Sequence, residues 1–342
     1  MTGAPILFGS VAATDAHDTG PGHPERPSRL DAVERGVRAG ELDGVTSELV
    51  TRPAVRAELL RVHSVQYLDA LERLAVAGGG QLDPDTPVAG GSWATAVASA
   101  GLGLAAIEAL RRNEGDAAFV APRPPGHHAT ASRGMGFCLL NNVAVAAAAL
   151  AADGERVVIV DWDVHHGNGT QDVFWNDPRV LYASMHEAPG YPGTGAVTET
   201  GGHSALGATV NVPLPSGATG DVALAAIDEV IGPVAASFGP TWVLVSAGFD
   251  AHRDDPLAGL AWSSGDYATL TTRVLALAPG RSRTIVFLEG GYDLRALERS
   301  VTATVGALAG LDLRPEPATS GGPGRLQVVA AAAARGRLDD WV

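Results

Sequence analysis

An α/β fold with a central, mainly parallel β-sheet and helices on both faces is what this sequence predicts, and three observations carry the prediction. Apolar runs of strand length recur along the chain, each is followed by a turn, and most turns lead into an Ala/Leu-rich stretch of helical length. The runs show little polar alternation, as in strands buried on both faces, and their alternation with helices favours parallel pairing. In order, the predicted strands are residues 5–9 ("PILFG"), 117–121 ("AAFVA"), 156–161 ("RVVIVD"), 180–185 ("VLYASM"), 242–247 ("WVLVSA") and 284–289 ("TIVFLE"). The predicted helices are residues 54–76, 93–112, 141–152, 221–237, 263–278 and 293–310. In such sheets, functional groups collect beyond the carboxyl ends of the strands. Residues 311–342, with "PEPATSGGPG" and an Ala-rich run, read as a C-terminal extension whose helix is either packed or loose. The whole of 1–342 reads as one domain.

Composition removes several classes of function. The net charge of -14 argues against a nucleic-acid-binding protein, which needs basic stripes to neutralise phosphate. The single cysteine, Cys138, excludes internal disulfides and cysteine-based zinc clusters and fits a reducing cytoplasm. Any metal site must therefore use His and carboxylates. All 24 basic residues are arginine, which a GC-rich genome explains without a binding role. We read no apolar run long enough to span a bilayer and no leader pattern at the start, so a cytoplasmic protein off the membrane is expected. A homo-oligomer fits this composition as well as a monomer does.

The stretch "VVIVDWDVHHGNGTQ" (157–171) passes without a break from β-branched residues to two aspartates and two histidines. Residues i, i+2 and i+4 of an extended chain share a side, so Asp161, Asp163 and His165 converge at the strand end provided the chain stays extended that far. Buried carboxylates are costly unless a cation compensates them, and Asp with His, without Cys, suits a catalytic divalent metal. A D-x-D pattern alone is common on loops. Other strand ends strengthen the reading: "SAGFDAHRDDPL" places Asp250 after an apolar strand, and "PRPPGHH" places His127 and His128 in an irregular Pro/Gly loop. "LEGGY" ends a further strand with Tyr292.

"RPPGHH", "GMGFCLLNNVAVAA", "DWDVHHGNGTQ", "SAGFDAHRDDPL", "EGGY" and "HPERPSRL" together resemble the zinc-dependent deacetylases of the histone deacetylase and acetylpolyamine amidohydrolase family, over about residues 15–310. Asn168 and "EGGY" make the chain similar to the class II-like bacterial branch. The resemblance implies an arginase-deacetylase type three-layer α/β/α sandwich. It implies one catalytic Zn2+ held by Asp163, His165 and Asp250, ligands that ferrous iron would equally use. It further implies His127 and His128 as general acid and base, with His128 the base that deprotonates water. Asp161 would orient His127, Asn168 would orient His128, and Tyr292 would donate to the oxyanion.

Further roles follow from the same resemblance. Gly136, Phe137 and Tyr191 would shape a narrow channel for an acyl-lysine chain, with Asp85 anchoring the substrate at its mouth. Ser184 and Asp161 would belong to a structural K+ site. Arg26 would line an internal cavity through which acetate leaves. His166 is expected to point away from the metal, and His17, His63, His186, His203 and His252 to be structural or exposed. Cys138 reads as a packed residue. Leu257, seven residues after Asp250, stands where polyamine-specific relatives carry a glutamate. The implied substrate is therefore an acyl-lysine peptide or protein, ahead of another acylated amine. An acetylpolyamine amidohydrolase, a deacylase of a small-molecule amide and an inactive acyl-lysine-binding module stay as alternatives. A two-manganese ureohydrolase is disfavoured, because the aspartates do not follow its arrangement.

Overall fold

Eight strands pair in parallel throughout to form the main sheet of the computed structural model, which describes residues 4–11 and 14–339. In chain order the strands are β1 (Ile6–Ser10), β2 (Thr46–Glu48), β3 (Gly79–Gln81), β4 (Pro87–Ala89), β5 (Ala117–Ala121), β6 (Val157–Asp161), β7 (Val180–Glu187), β8 (Thr209–Leu214), β9 (Trp242–Ala247) and β10 (Thr284–Leu288). The main sheet runs β2-β1-β5-β10-β9-β6-β7-β8, and β3 pairs with β4 in a small antiparallel ribbon. All six predicted strands are present. The prediction omitted β2, β3 and β4, which are three residues each, and β8, whose "TVNVPL" carries Asn211 and Pro213 and so lacks a plain apolar signature.

Helices cover both faces, giving the three-layer α/β/α architecture. One layer joins Ser28–Val37, Leu294–Leu308, Ser264–Leu275, Gly220–Ala226 and Arg325–Asp339. The other contains Val65–Val76, Ser92–Arg111, Asn142–Ala152 and Asn168–Phe174. The predicted helix 54–76 is two pieces, Arg56–Leu59 and Val65–Val76, because Ser64 caps the second by accepting a hydrogen bond from the Tyr67 amide. The predicted 221–237 helix contains a π-helical segment, Ile227–Ile231, just before Pro233, whose ring and missing N–H disturb the regular ladder.

One expectation is corrected here. Ser92–Arg111 is long and apolar enough to cross a bilayer, contrary to the reading of the sequence. Most of it is buried against β1, β5, β10 and Asn142–Ala152, which makes it a core helix. The C-terminal extension first runs as an irregular strap and then forms the helix Arg325–Asp339, which packs on β8 and Gly220–Ala226.

Buried neutral histidines are expected to make this fold acid-sensitive. His63 lies between the Thr130 carbonyl, 3.0 Å from Nδ1, and the Asn141 amide, which donates to Nε2 at 3.0 Å. Burial pushes its pKa down to about 4, and His17 is likewise held at about 4 by burial. Between pH 6.5 and 4 the unfolded chain binds protons that the native state refuses, so each histidine contributes stability that is present above pH 6.5 and lost as the pH falls through that window. His63→Gln supplies one donor and one acceptor without titrating. Urea unfolding at pH 7.5 and 5.0 should show the variant losing about 2 kcal/mol less than the wild type on acidification. Equal losses would exclude His63 as a source of acid lability.

Candidate active site

Four strands far apart in sequence, β5, β10, β9 and β6, are consecutive neighbours in the centre of the sheet. Their registers bring Leu288 level with Ala247 and Asp161 level with Ser246, so all four end at one edge. Just beyond β6 and β9, Asp163, His165 and Asp250 bring one ligand atom each within 4.8 Å of the others. His165 Nδ1 lies 3.1 Å from Asp163 Oδ1 and 3.3 Å from Asp250 Oδ2. Asp163 also accepts from the Gly290 amide at 2.8 Å, and Asp250 Oδ1 accepts from the Val164 amide at 3.0 Å. Asp250 Oδ2 is buried and, among the described residues, faces the His165 ring without forming a well-directed hydrogen bond. Burial and the neighbouring Asp163 push the Asp250 pKa up.

Two buried carboxylates, one with an orphaned oxygen, and an imidazole facing both form a donor set that a divalent cation fits. A side chain at Gly290 would run into Asp250 and Asp163, so only glycine leaves this cradle open.

The paired histidines sit on the irregular loop after β5, with ring centroids 4.1 Å apart. His127 Nδ1 is 3.1 Å from Asp161, whose carboxylate also accepts from the Tyr182 hydroxyl at 3.0 Å. His128 Nδ1 donates to Asn168 Oδ1 at 2.8 Å, which leaves its Nε2 with a free lone pair. Burial disfavours charge on both rings. Asp163 and Asp161 outweigh it at His127 and raise that pKa to about 10. At His128, burial acts with repulsion from His127 and His165 and holds the pKa well below the usual value. The Asn168 hydrogen bond acts in the opposite direction, so the depression comes from burial and neighbours.

Tyr292 lies beyond β10, its ring under the Arg29 guanidinium at 5.0 Å and edge-on to Phe137 at 5.8 Å. Burial raises its hydroxyl pKa well above the usual value, Arg29 opposes this, and Asp250 and Asp163 add to it, so the phenol stays a donor. Phe137 follows Gly136, and both have positive φ, 68° and 54°. A Cβ at Gly136 would clash with the His128 ring. The Phe137 amide donates to Thr86 Oγ1 at 3.0 Å, and Thr86 donates to Asp85, tying the loop to the β3–β4 ribbon. Tyr191 stands edge-on to His128 at 5.1 Å and to His165 at 6.1 Å. Tyr191 and Leu257 are exposed, at 40% and 42%. Asp85 is exposed as well, and its pKa is raised by partial burial and by Asp83 beside it.

One placement corrects the sequence reading: Arg26 is exposed and lines no interior. It precedes Pro27, outside the helix Ser28–Val37, whereas Arg29 in the first turn faces inward and is fully buried. Arg29 donates to the backbone carbonyls of Gly291 at 2.7 Å and Glu289 at 2.5 Å, and it pairs with buried Glu25. Ser184 is level with Asp161 on β7, but its Oγ lies 2.9 Å from His186 Nδ1. His166 turns away to Thr194 and Gln171, His17, His63, His186 and His252 are buried, and His203 is exposed. Cys138 is buried, and burial pushes its thiol pKa well up.

Three supporting residues escape the sequence reading. Glu289 accepts the Gly126 and His127 amides at 2.7 and 3.1 Å, and an acid closing an apolar strand was a usable signal. Asp255 accepts the Tyr292 amide at 2.7 Å, a role that the string "RDDPL" hints at only weakly. Tyr182 reads in sequence as a core strand residue and carries no signal.

Comparison with known proteins agrees with this geometry. Residues 23–308 match the family of the histone deacetylase domain. A probable deacetylase of Archaeoglobus fulgidus is 39% identical, covering 87% of this chain and 84% of its own. A histone deacetylase-like amidohydrolase of Pseudomonas aeruginosa is 39% identical over 80% of this chain and 73% of its own. The crystal structure of the HDA15 HD domain superimposes with a TM-score of 0.87 at 33% identity, covering 99% of both chains. Sheet, helical layers and polar strand ends thus coincide with a match along most of the sequence, and the chain belongs to the histone deacetylase family.

Proposed function

We propose that this protein is a zinc-dependent amidohydrolase that removes acetyl or another short acyl group from a lysine-like amine. The observation that carries the reading is the meeting of Asp163, His165 and Asp250 with the His127–His128 pair at one sheet edge. Zn2+ held by the three ligands would supply Lewis acidity, polarising the acyl carbonyl and acidifying water. His128, with its Nδ1–H committed to Asn168, accepts the proton of attacking water at Nε2. His127, charged beside Asp161, holds the proton that the departing amine needs. The Tyr292 hydroxyl donates to the oxyanion of the tetrahedral intermediate. Phe137 and Tyr191 flank the approach, and their rings suit an alkyl chain. A structural K+ beside Asp161 and Ser184, and action in the cytoplasm, belong to the same proposal.

A second substrate class is favoured by the acidic pair Asp83 and Asp85, beside the Thr86 that holds the Phe137 amide, which suits a polyamine cation. Competition on zinc-loaded protein between an acetyl-lysine peptide, a longer acyl-lysine peptide and acetylated polyamines decides between them through kcat/KM. The expected order puts acyl-lysine first, because Leu257 offers no charge at the mouth. A preference for polyamines would transfer specificity to Asp85. Hydrolysis of none of them would overturn the lysine-like assignment.

A further inference from the structure

The strap between the helices Leu294–Leu308 and Arg325–Asp339 lies beyond the region that matches the family, yet it is stitched to the loop that follows β9. Glu316 on the strap is buried. Its Oε2 lies 2.7 Å from His252 Nε2 and accepts from the Ser264 amide and hydroxyl at 3.2 and 3.0 Å. Its Oε1 accepts from Arg253 at 2.7 Å. The His252 tautomer follows from its other partner: Nδ1 accepts from the Asp254 amide at 3.1 Å, so Nε2 carries the proton and donates to Glu316. The His252 carbonyl accepts the Asp255 amide at 2.9 Å, closing a tight turn. Asp255, at the end of that turn, accepts the amides of Tyr292 at 2.7 Å, Asp293 at 3.3 Å and Leu257 at 3.0 Å. The base of the loop is closed separately by main-chain bonds between Arg253 and Trp262 and between Trp262 and Ala251.

We infer that Glu316 is a positioning residue for the active site: through the His252 turn and Asp255 it holds the backbone that presents Tyr292. The inference rests on the proposed role of Tyr292 in hydrolysis, but its structural half does not. The His252 ring bonds both Glu316 and the Asp254 amide, and the neighbouring Arg253 guanidinium donates to the other Glu316 oxygen; together these two side chains form the link between strap and turn. Releasing it leaves Asp255 free to drift, and a misplacement near 1 Å at a reacting group costs about 100-fold in rate in the extreme case.

Two readouts test this on the full-length, zinc-loaded protein. Hydrogen exchange at the Tyr292 and Asp293 amides should rise about fivefold or more in Glu316→Ala and Asp255→Ala. It should stay unchanged in Arg325→Ala, a change on the same C-terminal segment that breaks an exposed pair with Glu229 of the π-helical turn. On an acyl-lysine peptide, Glu316→Ala should lower kcat about 10-fold at unchanged zinc content, and it should add no further loss in a Tyr292→Phe background. Exchange at Tyr292 and Asp293 that stays at the wild-type level in Glu316→Ala would overturn the inference, as would a full multiplicative loss in the Tyr292→Phe background. If the wild type hydrolyses no acyl amine, the proposed function falls and the exchange result alone decides the inference. The double variant His252→Phe/Arg253→Ala, which removes both side-chain bonds from the turn to Glu316, carries the same expectation and serves if Glu316→Ala does not fold.

Discussion

Asp250→Asn should yield a folded protein whose stability no longer responds to Zn2+ and whose deacylase turnover is lost. The amide oxygen of asparagine can still accept the Val164 amide, so the loop keeps its main-chain anchor. What disappears is the charge that faces His165 and lies beside buried Asp163. Without metal, this change relieves repulsion between two buried carboxylates, so the apo variant should unfold no more easily than the apo wild type. With metal the order reverses. A ligand that binds only the native state stabilises it by about 4 kcal/mol at a thousandfold excess over Kd, and the variant forfeits that gain. Loss of several kcal/mol of electrophilic stabilisation corresponds to about three decades in rate. Thermal unfolding with and without Zn2+, together with metal analysis of the purified variant, reads both effects. A variant that binds zinc as the wild type does would remove Asp250 from the ligand set.

The second large effect is expected at the proposed base. His128→Ala should lower kcat by about 10^2- to 10^4-fold while zinc content and folding are retained, because general-base catalysis contributes that range. His128 Nδ1 is committed to Asn168, so Nε2 is the available acceptor. His127 is tied to a carboxylate that also receives the Tyr182 hydroxyl, an arrangement that favours the charged ring. Tyr292→Phe removes the proposed oxyanion donor and should cost about 10^2- to 10^3-fold in kcat with KM little changed. Single-turnover rates at saturating acyl-lysine peptide separate these losses from binding. Near-normal turnover in His128→Ala would reassign the base.

Much of this site is legible in the amino-acid sequence, for a physical reason that differs from residue to residue. Asp161, Asp163 and His165 are visible because carboxylates ending an apolar run need a cation to justify their burial; the strand itself stops at Asp161, so a bend rather than strand alternation brings Asp163 and His165 together. His127, His128 and Tyr292 are visible as polar groups set among Pro and Gly at other strand ends. The six central strands are visible because burial on both faces removes polar alternation. Short edge strands, β8 with its Pro213, and the break before Ser64 carry weaker local signals and escape the sequence reading.

The sequence by itself determined the strand–helix alternation, the groups available for chemistry and the strand ends on which they sit. Only the tertiary structure decided that β5, β10, β9 and β6 are neighbours, and hence that residues more than a hundred positions apart share one site. It also decided that Arg29 rather than Arg26 is buried, since the helix beginning at Ser28 selects which arginine faces inward. The roles of Glu289, Asp255, Tyr182 and Glu316 became clear only there, although an acid closing an apolar strand marks Glu289 in the sequence. Each acts through one or more hydrogen bonds to a distant segment, and hydrogen-bond geometry leaves no periodicity in the chain. Local pattern reports which face of an element is buried; which partner lies against that face is set by the packing of the whole fold.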